Sequence, residues 1–259
     1  ILKVELFYSD QKFNRNKNVL QGFFNRSNNL ITIEKKVFDI SFRGFHNAQN
    51  FLFVYAVAKE IAPILKKYCV IITKSTVPVG TSLEIKNIIK KYNRNASFDV
   101  VSNPEFLREG SAVNDFLFPD RVIVGASSSK AFKEMRDVYR PLFLNKTPVM
   151  EFSVSSSEMI KYASNSFLAL KISYINEIAN LCETVNADVH DVALGMGKDG
   201  RISSKFLHPG PGFGGSCFPK DIQALKALGE NNGITLNTVS ATIETNKAQK
   251  KRILNKIFK

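Results

Sequence analysis

From about residue 51 onward, apolar and polar positions switch between two periods. Leu52 to Lys67 and Leu83 to Tyr92 repeat apolar residues every three or four positions, which predicts helices. Val70-Ile-Ile-Thr, Phe98-Asp-Val-Val-Ser and Arg121-Val-Ile-Val-Gly are short runs rich in β-branched residues, which predicts strands. A helix over about 130–142 and a strand near Pro148-Val-Met-Glu-Phe complete the series. Strands that take turns with helices indicate an α/β fold with a parallel sheet.

After about residue 153 the period-two signal disappears. Ser155-Ser-Ser-Glu158 fits a capping box. Met159, Ala163, Phe167, Leu170, Tyr174, Ile178, Leu181 and Val185 then step by four or three along one long amphipathic helix. A helix of that length commonly spans two parts of a molecule or forms a seam between subunits. Shorter helices follow around Val189–Leu194, Asp221–Glu230 and Val239–Ile257. The first fifty residues fit neither pattern. They are rich in Phe, Asn and Lys, contain no proline and only two glycines, and offer Leu30-Ile-Thr-Ile as a candidate strand. The expected division is therefore 1–50 without an assignment, 51–152 as α/β, and 153–259 as helical.

The formal net charge of +13 suits nucleic acid, an acidic membrane surface or small anionic ligands. The excess is diffuse apart from Lys247, Lys250, Lys251, Arg252, Lys256 and Lys259, and no basic motif is interleaved with base-stacking aromatics. A solvated basic tail without a nucleic-acid partner is expected. No apolar run reaches the roughly 18 residues of a membrane span, and Ile1-Leu-Lys-Val-Glu-Leu-Phe lacks the layout of a signal peptide. Three cysteines make no disulfide framework; Cys69, in a predicted buried strand, and Cys182, on the apolar side of the long helix, read as inert core residues. His46, His190 and His208 are scattered, and no Cys/His spacing suggests a metal. These features point to a reducing, cytoplasmic setting.

Four short stretches place polar groups where polar groups are otherwise costly. Lys74-Ser-Thr-Val-Pro-Val-Gly-Thr81 and Asn103-Pro-Glu-Phe-Leu-Arg-Glu-Gly110 each follow a predicted strand, and open α/β sheets bind ligands at such carboxyl ends. Glu105 and Glu109 are four apart, as are Lys161 and Asn165 on the long helix. The fourth stretch is Gly210-Pro-Gly-Phe-Gly-Gly-Ser-Cys217-Phe-Pro-Lys-Asp221, which sets a thiol at the exit of a glycine-dense loop. Near a helix N-terminus and an ammonium, such a thiol is expected to have a lowered pKa and to act as a nucleophile. Each stretch also has an ordinary reading: a solvated helix face, a turn before proline, a free cysteine beside a flexible loop. Gly210-Pro-Gly-Phe-Gly-Gly215 matches G-x-G-x-x-G literally, yet no strand precedes it and Pro211 interrupts it, so it does not read as a dinucleotide turn.

Together the runs Lys74-Ser-Thr-Val-Pro, Asn103-Pro-Glu-Phe-Leu-Arg-Glu-Gly, Ile160-Lys-Tyr-Ala-Ser-Asn and Gly212-Phe-Gly-Gly-Ser-Cys-Phe-Pro-Lys-Asp resemble the UDP-glucose/GDP-mannose dehydrogenase family in order and spacing, over about residues 50–250. The resemblance implies a partial Rossmann-like parallel sheet followed by a helical central domain built on one long helix. It also implies oxidation of the C6 alcohol of UDP-glucose to a carboxylate with two NAD⁺. Cys217 would form a thiohemiacetal and then a thioester, Lys161 would stabilise the oxyanion, and Asn165 would orient the substrate. Asp221, and Thr76 through water, would assist proton removal, and Glu105 would act as base for thioester hydrolysis. Ser75, Thr76, Glu109 and Lys220 would contact NAD. Glu105, Phe106, Leu107, Arg108, Lys161, Asn165, Phe206, Leu207, His208, Pro209, Gly210 and Gly214 would line the sugar-nucleotide site. Arg201 would reach the substrate of a partner subunit, which implies a homodimer through the helix over 155–185.

Two parts of the family plan have no counterpart in the sequence. Residues 1–50 show no Gly-rich turn with an acidic residue after it, and the C-terminal UDP-binding domain of the family is expected to be absent. Open strand edges in residues 51–150 are expected to favour aggregation. An inactive truncated remnant and a GDP-mannose dehydrogenase stand as alternatives, with a basic nucleic-acid-binding protein last. The Glu105-to-Gly110 run speaks against UDP-N-acetylmannosamine as substrate, and the Gly210-to-Gly215 run favours UDP-glucose over GDP-mannose.

Overall fold

The computed structural model describes residues 4–8, 20–25, 30–34, 36–39 and 45–258. The chain forms two compact units that divide between Lys161 and Tyr162.

The first unit holds two four-stranded sheets. In the first, β1 (Val4–Tyr8), β2 (Leu20–Asn25), β3 (Leu30–Ile33) and β4 (Lys36–Asp39) lie in chain order, with β1 and β2 parallel and the other pairs antiparallel. Only β3 was legible beforehand. Its alternation sends Ile31 and Ile33 to one side, where both are fully buried.

The second sheet follows α1 (Phe45–Ile61) and has the order β5 (Cys69–Thr73), β6 (Phe98–Ser102), β7 (Val122–Gly125), β8 (Val149–Phe152). Helices α2 (Thr81–Tyr92), α3 (Ala112–Leu117) and α4 (Ser129–Tyr139) connect these strands. Pro63 and Pro141 end the preceding α-helices in short 3₁₀ turns. Period two makes β6 the centre of the unit. Phe98 and Val100 join Ile31, Ile33, Tyr55, Ile85 and Ile89 in one core, while Val101 joins Val122, Val124, Ala131 and Met135 in another. Helices therefore cover both faces, and burying a side chain such as Ile89 contributes about 1.5–3 kcal/mol.

Two features depart from the expected parallel sheet with a buried first strand. β5/β6 and β7/β8 are parallel, but β6 meets β7 antiparallel at the single pair Ser102–Gly125. The link between them contains only the six-residue α3, none of whose residues is buried, so no packed crossover helix returns the chain in the parallel sense. The Asn103 side chain fills in, its Nδ2 donating to the Ile123 carbonyl at 2.7 Å. Cys69 is exposed, not an inert core residue, because β5 is the edge strand of this sheet. Its Ile72 is likewise 38% exposed.

Helix α5 (Val154–Val185) begins in the first unit and continues into the second, which adds α6 (Val189–Gly197), α7 (Phe218–Asn231) and α8 (Asn237–Ile257). Among its described residues the second unit has no strand, which agrees with rejecting the glycine run as a dinucleotide turn. Its core contains Ala169, Phe213, Ile222 and Ile243. The capping box is displaced: Ser153 Oγ accepts the Ser156 N–H at 3.1 Å, and Glu158 serves a different helix. The apolar stripe of α5 also faces outward, with Met159, Phe167, Tyr174, Leu181 and Val185 all exposed. Its buried face is largely polar and carries Ser157, Glu158, Lys161, Asn165, Ser166, Ser173 and Asn176. Cys182 is buried as expected. Part of the basic tail is paired, since Arg252 and Lys256 both reach the Glu183 carboxylate, at 2.7 and 2.5 Å. Among the described residues no helix is long and apolar enough to cross a membrane, and no cluster of His, Cys, Asp and Glu could hold a metal.

Candidate active site

Because β5 and β6 pair in register from Cys69–Phe98 to Thr73–Ser102, they end level, and the loops after them start side by side. Lys74 opens the first loop, and its Nζ donates to Tyr139 Oη at 3.1 Å. That hydroxyl in turn donates to Asn103 Oδ1 at 2.5 Å, which ties the two loop starts together. Ser75 is exposed and Thr76 half-buried. The loop ends at Gly80, whose φ of +100° admits few side chains, so α2 has no capping side chain of its own. Glu158 supplies the cap instead. Its carboxylate, 2% exposed, accepts the Gly80 N–H at 2.7 Å, the Ser82 N–H at 3.0 Å and the Ser82 hydroxyl at 2.7 Å.

In the second loop Glu105 folds over its own turn, Oε2 accepting the Leu107 N–H at 2.7 Å. Lys161 Nζ donates to the Glu105 carbonyl at 2.5 Å, lies 3.5 Å from Glu105 Oε1, and sits 5.0 Å from the Phe106 ring centre. The Arg121 guanidinium is 4.1 Å from the same ring. Lys161 is only 4% exposed, so its charge is held in a site that largely excludes water. Arg108 is engaged by Asp115 through Nε, NH2 and its backbone N–H. These bonds hold the Asp115 carboxyl well below the usual carboxylate range. Leu107 and Glu109 are exposed.

In the second unit Cys217 stands exposed at the N-cap of α7, and Pro219 sits in the first turn as its fixed φ favours. The Asp221 N–H donates to the Cys217 carbonyl at 2.9 Å. Asp221 is 1% exposed; its Oδ2 accepts from Asn165 Nδ2 at 2.5 Å and its Oδ1 from Lys220 Nζ at 2.7 Å. The ammonium that the sequence set near the thiol is thus engaged by Asp221. Arg201 is 88% exposed but braced by Asp199, with Nε at 3.0 Å from Oδ1 and NH2 at 2.6 Å from Oδ2. Of the loop 206–214, Leu207 is buried and can offer a ligand only backbone. His208 and Gly214 are exposed, and Phe206, Pro209 and Gly210 half-buried. Lys171 Nζ donates to the carbonyls of Ile202, Ser203 and Lys205, which braces this loop at its start.

Sequence reading missed two supports. Glu158 was assigned to its own helix, although it shares the buried face of Lys161 and Asn165 at three- and four-residue steps. The other support is a set of buried amides. Asn176 Oδ1 accepts the Gly210 N–H, Gln249 Nε2 donates to the Gly210 carbonyl, and Asn246 bonds both backbone groups of Phe213. The spacing of Asn246 and Gln249, three apart on one helix, was the available signal.

Ser75 and Thr76 place two hydroxyls in the loop after β5, at the carboxyl end of the strand, where open α/β sheets bind ligands. The N-terminus of α2 does not offer a phosphate site, because Glu158 already takes its free N–H groups.

Sequence models of two domains of one family match most of the chain. One is the NAD binding domain of the UDP-glucose/GDP-mannose dehydrogenase family, over residues 44–143, and the other its central domain, over residues 155–248. The α/β sheet and the helical unit after it agree with these two domain models, one for an NAD binding domain and one for a central domain. The chain belongs to the UDP-glucose/GDP-mannose dehydrogenase family. It is 52% identical over 208 residues to UDP-glucose 6-dehydrogenase of Rhizobium meliloti, covering 80% of this chain and 48% of that protein. It is 49% identical over 207 residues to UDP-glucose 6-dehydrogenase TuaD of Bacillus subtilis, with 80% and 44% covered. The solved UDP-glucose dehydrogenase of Pyrobaculum islandicum superposes with a TM-score of 0.71 at 37% identity, over 77% of this chain and 45% of that one. The chain spans about half the length of the curated relatives it matches.

Proposed function

We propose that the protein is an NAD-dependent dehydrogenase that oxidises the C6 alcohol of UDP-glucose to the carboxylate of UDP-glucuronate. The observation that carries this reading is the exposed thiol of Cys217 at the start of α7, one turn before the buried Asp221–Asn165 pair. NAD⁺ accepts one hydride per molecule, and alcohol-to-carboxylate oxidation removes two, so two NAD⁺ are consumed per turnover.

Asp221, with Thr76 acting through a water, removes the hydroxyl proton as the alcohol becomes an aldehyde. Cys217 Sγ then adds to the aldehyde carbon, and Lys161 stabilises the oxyanion of the resulting thiohemiacetal. Loss of the second hydride leaves a thioester on Cys217. Glu105 takes a proton from water, whose oxygen adds to the thioester carbon; the C–S bond breaks and the thiolate returns. Asn165 orients the sugar. Ser75, Glu109 and Lys220 contact the cofactor, and Phe106, Leu107, Arg108 and the loop 206–214 line the substrate.

The exposed stripe of Phe167, Tyr174 and Leu181, spaced by seven, supports a homodimer through α5. The braced, solvent-facing Arg201 suits contact with a partner's substrate. Free cysteines, one of them reactive, suit a reducing compartment such as the cytoplasm. The names of the bacterial relatives favour UDP-glucose over GDP-mannose.

The test is NADH formation by the purified protein supplied with NAD⁺ and either UDP-glucose or GDP-mannose. Reduction with UDP-glucose that is lost in Cys217→Ala is expected. Reduction that survives this substitution, or that occurs only with GDP-mannose, would overturn the reading.

A further inference from the structure

Two residues of the glycine loop before Cys217 are held at both backbone groups. Gly210 is held at both backbone groups, its N–H by Asn176 Oδ1 at 2.7 Å and its carbonyl by Gln249 Nε2 at 2.8 Å. Asn180 Nδ2 in turn donates to Gln249 Oε1 at 3.0 Å, which fixes the orientation of that amide. Phe213 is held in the same way by one residue: Asn246 Oδ1 accepts its N–H at 2.7 Å, and Asn246 Nδ2 donates to its carbonyl at 3.0 Å. Gly212 makes room for this clamp, since a Cβ there would lie 2.4 Å from Asn246 Oδ1 at a φ of +104°. Residues 214–217 are exposed, and Cβ atoms at Gly214 and Gly215 would meet nothing within 4 Å. Phe213 itself is 5% exposed and packs edge-on against Phe218, the first residue of α7, with ring centres 6.2 Å apart.

We propose that Asn246 is a positioning residue for Cys217, acting through the Phe213 backbone and the Phe213–Phe218 contact to hold the first turn of α7 and the thiol at its N-cap. The inference rests on Cys217 being the nucleophile. Its path is a continuous set of contacts within one unit: a buried amide on α8, a doubly bonded loop residue, an aromatic pair, and the residue next to the cysteine. The energetic reason for a clamp is the glycine content that follows it. Gly214 and Gly215 impose no conformation, so the thiol takes its position from the anchored residue on one side and from the helix on the other.

The three cysteines make the test internal to one protein. Full-length wild type and Asn246→Ala are treated with iodoacetamide at neutral pH, and alkylation is followed at each cysteine by peptide mass spectrometry. Cys69, exposed in the first unit, reports reagent and handling; Cys182, buried in the second, reports opening of that unit. A helix N-terminus favours the reactive thiolate only while the cysteine stays there. The expected result is a fall of about tenfold in the rate of Cys217 alkylation at fixed pH. Cys69 should be unchanged and Cys182 still protected. A Cys217 rate within about twofold of wild type, with Cys182 protected, would overturn the proposal. If Asn246→Ala exposes Cys182, Phe213→Leu decides, because it keeps both backbone hydrogen bonds and removes only the ring contact. A fall confined to Cys217 supports the path, and an unchanged rate overturns it. Alkylation needs no turnover, so this failure is distinguishable from failure of the dehydrogenase reading.

Discussion

Replacing Glu158 by alanine removes the cap of α2 without touching α2. The carboxylate accepts three hydrogen bonds, from two backbone N–H groups and one hydroxyl, at a site where both Glu158 and Ser82 are 2% exposed. Hydrogen bonds to a charged group contribute about 1.5–3 kcal/mol each, and a buried donor left unpaired costs about 1–3 kcal/mol. The bonds are not additive, and water can enter where the side chain was. A loss of roughly 3–5 kcal/mol follows for Glu158→Ala, a large share of the 5–15 kcal/mol typical of whole domains. Glu158→Gln keeps one acceptor oxygen and should lose about 1–2 kcal/mol. Urea unfolding followed by circular dichroism gives the totals, and hydrogen exchange at Gly80 and Ser82 localises them. Glu158→Ala within about 0.5 kcal/mol of wild type, or unaltered exchange at those amides, would refute the capping argument.

Other outcomes follow from the same reasoning. Gly212→Ala should cost about 2–4 kcal/mol, from backbone strain and the clash with Asn246, whereas Gly214→Ala should lie within about 0.5 kcal/mol; denaturation midpoints compare them. For Glu34, burial raises the pKa, but hydrogen bonds from Lys59 and Tyr92 outweigh it and bring the value to about 2. A depressed folded-state pKa means stability present above the ordinary value of 4.5 and lost as pH falls towards about 2, so melting temperatures should drop across that window and Glu34→Gln should flatten the drop. Leu181→Glu, in the middle of the exposed α5 stripe, should turn the proposed dimer into a monomer in sedimentation velocity. A wild type already monomeric at high concentration would remove that reading.

The strand β6 was legible to the residue because Phe98, Val100 and Val101 fall in one short run bounded by Asn95 and Ser97 on one side and by Asn103-Pro104 on the other. The long helix α5 was equally plain, yet its orientation was not. Periodicity shows that an apolar stripe exists, not whether a core or a partner covers it, and here the polar stripe is the buried one. Glu158 and Asn246 escaped notice because each satisfies backbone groups far along the chain, and spacing reports only neighbours on one element. The antiparallel entry of β7 and the exposure of Cys69 depend on strand order, which local pattern does not encode. Strands β1, β2 and β4 carry too little alternation to be read. Among the chemical candidates, Glu105–Lys161 and Asn165–Asp221 are each brought into contact, while Lys220 pairs with Asp221 and Arg108 with Asp115.

The most direct test of the covalent role of Cys217 is the mass of its peptide in Glu105→Gln protein incubated with UDP-glucose and NAD⁺. With the proposed base for hydrolysis removed, an acyl adduct of the oxidised sugar nucleotide should accumulate on Cys217 and be released by hydroxylamine. UDP-glucuronate formed at the wild-type rate with an unmodified Cys217, or the adduct on another residue, would contradict it.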